Sequence, residues 1–198
     1  MSPRIPLITG VVIFAGVLIW LVIKSSSSTA PPLSTGDINI PNSNSTTSVS
    51  PAPIIGRPQV EITTSKGKFI IEMRPDVAPK TVANFLAKFN SGYCVNLTFH
   101  RVENWVVQGC DPSGNGTGGK DSLPTENSKE TFTTGAVGVA RKAYPADISN
   151  DSQFFIVKTD STFLDGQYTY FGKVISGMEI VAKTAIGDKI LSTNVLTK

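Results

Sequence analysis

Beyond about residue 58 the sequence predicts a mainly β domain, an antiparallel barrel or sandwich carrying two helices. Three observations predict it. Short runs rich in Val, Ile and Phe recur between clusters of Gly, Ser, Asn and Pro. Only two stretches read as helices, and no internal repeat is visible. Ten Phe, with abundant Val and Ile, give this chain of 198 residues enough apolar surface for one real core.

Taken in order, residues 5–23 form a run of 19 without a charge. As a helix the run spans roughly 28 Å, close to the hydrocarbon thickness of a bilayer. We therefore expect an N-terminal membrane anchor over 1–24, amino terminus inside and the following domain extracytoplasmic. The competing reading is a signal peptide cleaved after Ala30, giving a secreted protein, but its apolar region is ordinarily about 7–15 residues long. Residues 25–57 are Ser, Thr, Pro and Asn with few apolar groups. Such a segment cannot bury enough surface to offset its entropy and reads as a disordered linker with a reach of roughly 30 Å.

The globular domain is expected over 58–198. Residues 60–64 and 68–73 flank Ser65-Lys66-Gly67 as a hairpin. Residues 81–89 space Val82, Phe85, Leu86 and Phe89 as one helical face. Strands follow at 99–102 and 105–109, then a long Gly/Ser/Asn loop to about Phe132. Further strands are expected at 135–140, 153–158, 170–175 and 189–196, with a second short helix over 176–185.

Composition excludes several functions. A net charge of +3 without a basic cluster gives no support for nucleic-acid binding. Two Cys and one His cannot supply a four-ligand zinc site unless carboxylates help, so no metal is expected. Gly114-Asn115-Gly116-Thr117-Gly118-Gly119 fits G-x-G-x-x-G, but no helix opens after it, as phosphate binding would require. His100, the only histidine, is expected on the strand face opposite Arg101 in a structural role. Cys94 and Cys110 flank the 99–109 hairpin; two buried free thiols are the favoured reading, a disulfide the alternative.

The chemistry centres on that hairpin. With Glu103-Asn104 as a two-residue turn, Arg101 faces Val106 and Phe99 faces Gln108, placing all four on one face. The same alternation puts Gln153 with Phe155, opposite Phe154 and Ile156. From the residues alone this face reads equally as a solvated sheet surface or as a peptide site.

FHRVENWVVQG (99–109), GNGTGG (114–119), SQFFI (152–156) and FLDGQYTYFGKV (163–174), preceded by APKTVANF (78–85), resemble a cyclophilin-type peptidyl-prolyl isomerase in order and spacing. The likeness runs from about 60 to 190 and, with the apolar N-terminus, is to a membrane-anchored, bacterial-like member. It implies an eight-stranded antiparallel β-barrel capped by two α-helices, acting on proline-containing polypeptides without a cofactor. It implies Arg101 as the catalytic arginine and Gln108 as the glutamine binding substrate backbone. Trp105 and Val106 stand at the rim of the proline pocket, Phe155 at its floor and Gln153 as a neighbouring polar contact. Ala140 and Arg141 match a pair whose backbone meets the peptide, and Phe163, Leu164 and Tyr168 match the wall-forming loop.

Departures from the family pattern sharpen these expectations. The 101–108 segment is one residue shorter than in many relatives, and the loop after Arg141 is longer. Phe163 replaces a tryptophan whose N–H binds cyclosporin in sensitive relatives, so weak cyclosporin binding is expected. A tethered proline-peptide binder without catalysis is the alternative function; it would need the pocket but not Arg101.

Overall fold

Val60 and Ile62 alternate with polar neighbours along β1 (Gln59–Thr64), as do Phe69, Ile71 and Met73 along β2 (Gly67–Met73). That period of two buries one face of the hairpin and leaves the other partly wet. In the computed structural model, which describes Ile54 and residues 56–196, this hairpin begins the sheet that carries the site. The expected anchor at 5–23 and nearly all of the expected linker lie outside the described residues. Among the described residues no helix is long and apolar enough to cross a membrane.

The other strands are β3 (Phe99–Val102), β4 (Val106–Gly109), β5 (Asp121–Pro124), β6 (Ala136–Val139), β7 (Ile148–Asn150), β8 (Phe154–Val157), β9 (Tyr170–Ser176) and β10 (Ile190–Leu196). Eight form one antiparallel sheet in the order β10-β1-β2-β9-β6-β8-β4-β3. The sheet curls into a half-barrel. Its end strands share no ladder; instead the chain entering β3 meets the chain entering β10, Asn96 N–H donating to Ile190 O at 2.8 Å and Phe99 N–H to Asp188 O at 2.9 Å. The expected closed barrel is therefore a curled sheet tied at one corner.

Helix α1 (Pro79–Asn90) begins with proline, whose missing N–H falls where a helix has no partner for it. Two other N-terminal donors, Lys80 N–H and Thr81 N–H, reach the carboxylate of Glu126 at 3.1 and 2.8 Å. The helix buries Val82, Phe85 and Phe89. Phe85 stacks on Phe171 at 4.6 Å between centroids, and Phe89 meets Phe154 edge-on at 5.8 Å. Truncating one such ring to Ala would cost about 3–5 kcal/mol. Helix α2 (Met178–Lys183) buries only Val181 and is shorter than the expected 176–185.

Three expectations need correction. The hairpin turn is Asn104-Trp105, one position later than expected: Glu103 N–H donates to Val106 O at 2.8 Å, and Arg101 lies opposite Gln108. Because the register moves by two, Arg101, Val106 and Gln108 keep a common face. Between Phe99 and Arg101 the ladder slips, leaving His100 as an extra residue, a bulge. That slip turns Phe99 into the main core with Val107, whereas it was expected beside Arg101. Gly109 permits it, since a Cβ there would stand 2.9 Å from the Phe99 ring.

Cys94 and Cys110 form a disulfide, with Cα atoms 5.0 Å apart, in place of the two free thiols expected. It closes the base of the β3–β4 hairpin. The ribbon of β5 and β7 was not expected at all. Its sequences, DSLP and ISN, are short and lack the apolar alternation that announces a strand.

Candidate functional site

Strands β4, β6 and β8 bury both faces. One faces the main core; the other carries a second cluster of Val106, Phe132, Ala136, Phe155, Val157, Leu164 and Tyr170. Above that cluster lies a groove of about 360 Å³ lined by His100, Arg101, Trp105, Val106, Gln108, Ala140, Arg141, Phe155, Leu164 and Tyr168. Nine of the eleven residues singled out from sequence thus meet in one cavity. Gln153 and Phe163 adjoin it.

The floor is aromatic and dry. Phe155 is 5 % exposed, stacked on Phe132 at 5.7 Å and met edge-on by Tyr168 at 5.8 Å. Gly138 on β6 lies under both Phe rings; a Cβ would clash with Phe155 and come within 2.8 Å of Phe132. Leu164, on a short 3-10 turn at Thr162–Leu164, closes one wall. Trp105 and Phe163 meet edge-on at 5.2 Å as the rim, and Phe163 is 61 % exposed.

The polar side is a chain of oriented donors. Arg101 Nη1–H donates to Gln108 Oε1 at 3.4 Å, and Gln108 Nε2–H to Gln153 Oε1 at 2.9 Å. Gln153, 2 % exposed, ends the chain by donating to Gly118 O at 2.7 Å and Gly116 O at 3.2 Å. A buried amide satisfied on both ends holds its neighbours in one orientation. Gln153 thus fixes Gln108, and Gln108 fixes Arg101. The buried glutamine is also part of an adjoining pocket with Thr117, Asp121 and Lys142.

The glycine run is the seat of this chain. Asp111, 1 % exposed, accepts from Ser113, Asn115 and Gly116 N–H at 3.0, 2.9 and 2.6 Å. Burial pushes its carboxyl pKa up, but these N–H bonds, helped by His100, outweigh burial and hold it below the ordinary carboxylate range. A Cβ at Gly118 would collide with Asp111, and one at Gly119 with Ser152, which explains glycine at both. The loop positions two carbonyls for Gln153; no helix follows it.

Two residues escaped sequence reasoning. Glu103, in the turn, accepts from Arg101 Nε–H at 2.7 Å and from Trp105 Nε1–H at 2.8 Å. Arg101, and then Trp105, hold its carboxyl below the ordinary value. The shifted register was the missing signal, since the expected turn removed Glu103 from the ladder. His100 lines the groove although it was expected on the opposite face, because the bulge frees it from alternation. Both its ring nitrogens are buried without a partner. Burial lowers its pKa, with Asp111 opposing and Arg101 assisting.

On the far wall Arg141 joins two loops. Its Nε–H donates to Gln167 O at 2.8 Å and Nη1–H to Lys142 O at 2.8 Å, with the guanidinium 4.5 Å over the Tyr168 ring. Ala140 N–H and C=O are both engaged within the domain, with Gln153 O and Asn150 N–H.

Comparison with known proteins accounts for the arrangement. The family model described as cyclophilin type peptidyl-prolyl cis-trans isomerase/CLD matches residues 59–196. A peptidyl-prolyl cis-trans isomerase of Arabidopsis thaliana is 40% identical over 131 residues, covering 64% of this chain and 79% of that protein. A probable peptidyl-prolyl cis-trans isomerase of Brucella suis is 42% identical over 137 residues, covering 62% and 69%. Similarity at this level therefore extends to a plant as readily as to a bacterium. Among solved structures, a Cryptosporidium parvum cyclophilin type isomerase, solved in the presence of the dipeptide Ala-Pro, superposes with a TM-score of 0.65 at 28% identity. It covers 71% of this chain and 99% of that one. The chain belongs to the cyclophilin type peptidyl-prolyl cis-trans isomerase family.

Proposed function

We propose that the groove binds a proline ring on Phe155, Val106 and Leu164 and that Arg101 catalyses rotation about the preceding amide bond. The observation that carries this reading is an oriented arginine directly beside a dry aromatic floor. A prolyl amide has little preference between cis and trans, about 0.5–1 kcal/mol, but rotation crosses a barrier of about 18–20 kcal/mol. Twisting breaks amide resonance and leaves a lone pair on nitrogen. A guanidinium aimed at that nitrogen stabilises the twisted amide more than either planar form, which is the requirement for catalysis. Arginine suits the role because it stays charged and presents donors in a fixed fork. Lowering the barrier by about 7 kcal/mol would accelerate exchange roughly 10⁵-fold.

The floor holds the ring while Gln108 and the backbone of Arg141 hold the carbonyl side, so one end turns against the other. Ala140 backbone is already paired, which leaves that contact to Arg141. No cofactor or metal enters this chemistry. An exchange assay on a proline peptide decides it: wild type should accelerate, and Arg101→Ala should bind the peptide yet scarcely accelerate. Equal rates for the two proteins would reject the mechanism.

We further propose a tethered, extracytoplasmic folding catalyst with the anchor over 5–23 and a linker to about residue 57. The uncharged run of 19 residues supports it, and so does the disulfide, which persists in oxidising compartments. Extraction of full-length protein only with detergent is the expected result; release by high salt alone would count against an anchor. Phe163 has no N–H donor, which supports weak cyclosporin binding. Phe163→Trp should then tighten inhibition.

A further inference from the structure

We propose that Glu103 is a positioning residue for Arg101, a role built into this chain by its Asn104-Trp105 turn. The carboxylate divides its oxygens: Oε1 takes Arg101 Nε–H at 2.7 Å and Oε2 takes Trp105 Nε1–H at 2.8 Å. The Arg101 guanidinium also sits 5.2 Å over the Trp105 ring. Two contacts therefore hold the cation, the Glu103 carboxylate and the Trp105 ring, and the Glu103–Trp105 bond ties the two together.

The geometry follows from the ladder. Glu103 N–H bonded to Val106 O makes Glu103 the last paired residue of the hairpin. Residues two apart on a strand share a face, so Glu103 stands beside Arg101. With Nε held by Glu103 and Nη1 by Gln108, the guanidinium plane is pinned at two edges. The unengaged Nη hydrogens are what remain to meet the prolyl nitrogen. The Arg101 side chain is 43% exposed, so without the carboxylate little else restricts its outer edge.

An exposed ion pair of this kind contributes little to folding. Its value lies in orientation, where small misplacements of a catalytic group lower rate steeply. The inference rests on the isomerase reading of the same groove.

The test uses full-length protein and a proline-peptide exchange assay on wild type, Glu103→Ala, Glu103→Gln, Arg101→Ala and the Arg101→Ala/Glu103→Ala double variant. Glu103→Ala should lower kcat about tenfold with KM nearly unchanged and the melting temperature within about 2 °C. Glu103→Gln keeps one good acceptor and should lose about threefold. In the Arg101→Ala background, removing Glu103 should change nothing further, because its action passes through the arginine. A Glu103→Ala kcat within twofold of wild type would overturn the proposal. So would an undiminished Glu103→Ala loss in the double variant, or a loss confined to KM. Failure of wild type itself to accelerate exchange would instead reject the isomerase reading.

Discussion

Arg101 and Gln108 lie directly opposite each other on β3 and β4, with Arg101 Nη1–H donating to Gln108 Oε1 at 3.4 Å. The arginine therefore belongs to a chain of bonds that runs through Gln153 to the carbonyls of Gly116 and Gly118. Arg101 and the glycine loop are linked by this chain.

Arg101→Ala should lower kcat by about 10²–10³-fold, the usual effect of removing one donor aimed at developing charge. Arg101→Lys should recover only a small part, since an ammonium cannot bridge Gln108 and Glu103 and still face the groove. Steady-state exchange kinetics at saturating peptide separate the two variants.

Gly138→Ala should damage the proline pocket without touching a polar group. Its new Cβ would clash with the Phe155 ring and crowd Phe132. Overpacking a tight core costs about 1–3 kcal/mol. We expect weakened peptide binding together with a lower melting temperature, measured by titration and thermal denaturation of one preparation.

Opening the disulfide should destabilise the domain. Cys94 and Cys110 are 16 residues apart, and freeing a loop of that size costs about 3 kcal/mol. For a domain of this length that corresponds to a fall in Tm of roughly 10 °C. Denaturation of Cys94→Ser/Cys110→Ser, or of wild type with reductant, would show it; no shift would mean that the bond carries no stability.

His100 predicts a pH effect of definite sign. Its folded pKa lies below the unfolded value of about 6.5, chiefly through burial. A depressed folded pKa means that the unfolded chain binds the proton more readily. The contribution to stability is therefore complete above about pH 6.5 and is lost as pH falls toward the folded pKa. Tm should decline as pH falls below about 6.5, and His100→Gln should flatten that decline.

Much of the fold was legible because burial imposes period. The alternation of Val60, Ile62, Phe69 and Ile71, and the spacing of Val82, Phe85 and Phe89, each announce an element by its buried face. The ribbon of β5 and β7 buries little and announced nothing. The residues that gather at the groove were legible as a set because several motifs lie in family order, yet their mutual contacts were not.

By itself the sequence determined that a mainly antiparallel β domain forms, that the first hairpin and the first helix each bury one face, and that Arg101, Val106 and Gln108 share a face. Strand alternation is a local property, and a register change of two leaves it intact. Only the tertiary structure decided the pairing of Arg101 with Gln108, the bulge that sends Phe99 to the core and His100 to the groove, the Cys94–Cys110 bond, and the curled rather than closed sheet. Each of these depends on how separate segments meet in space, and packing between distant residues leaves no period along the chain.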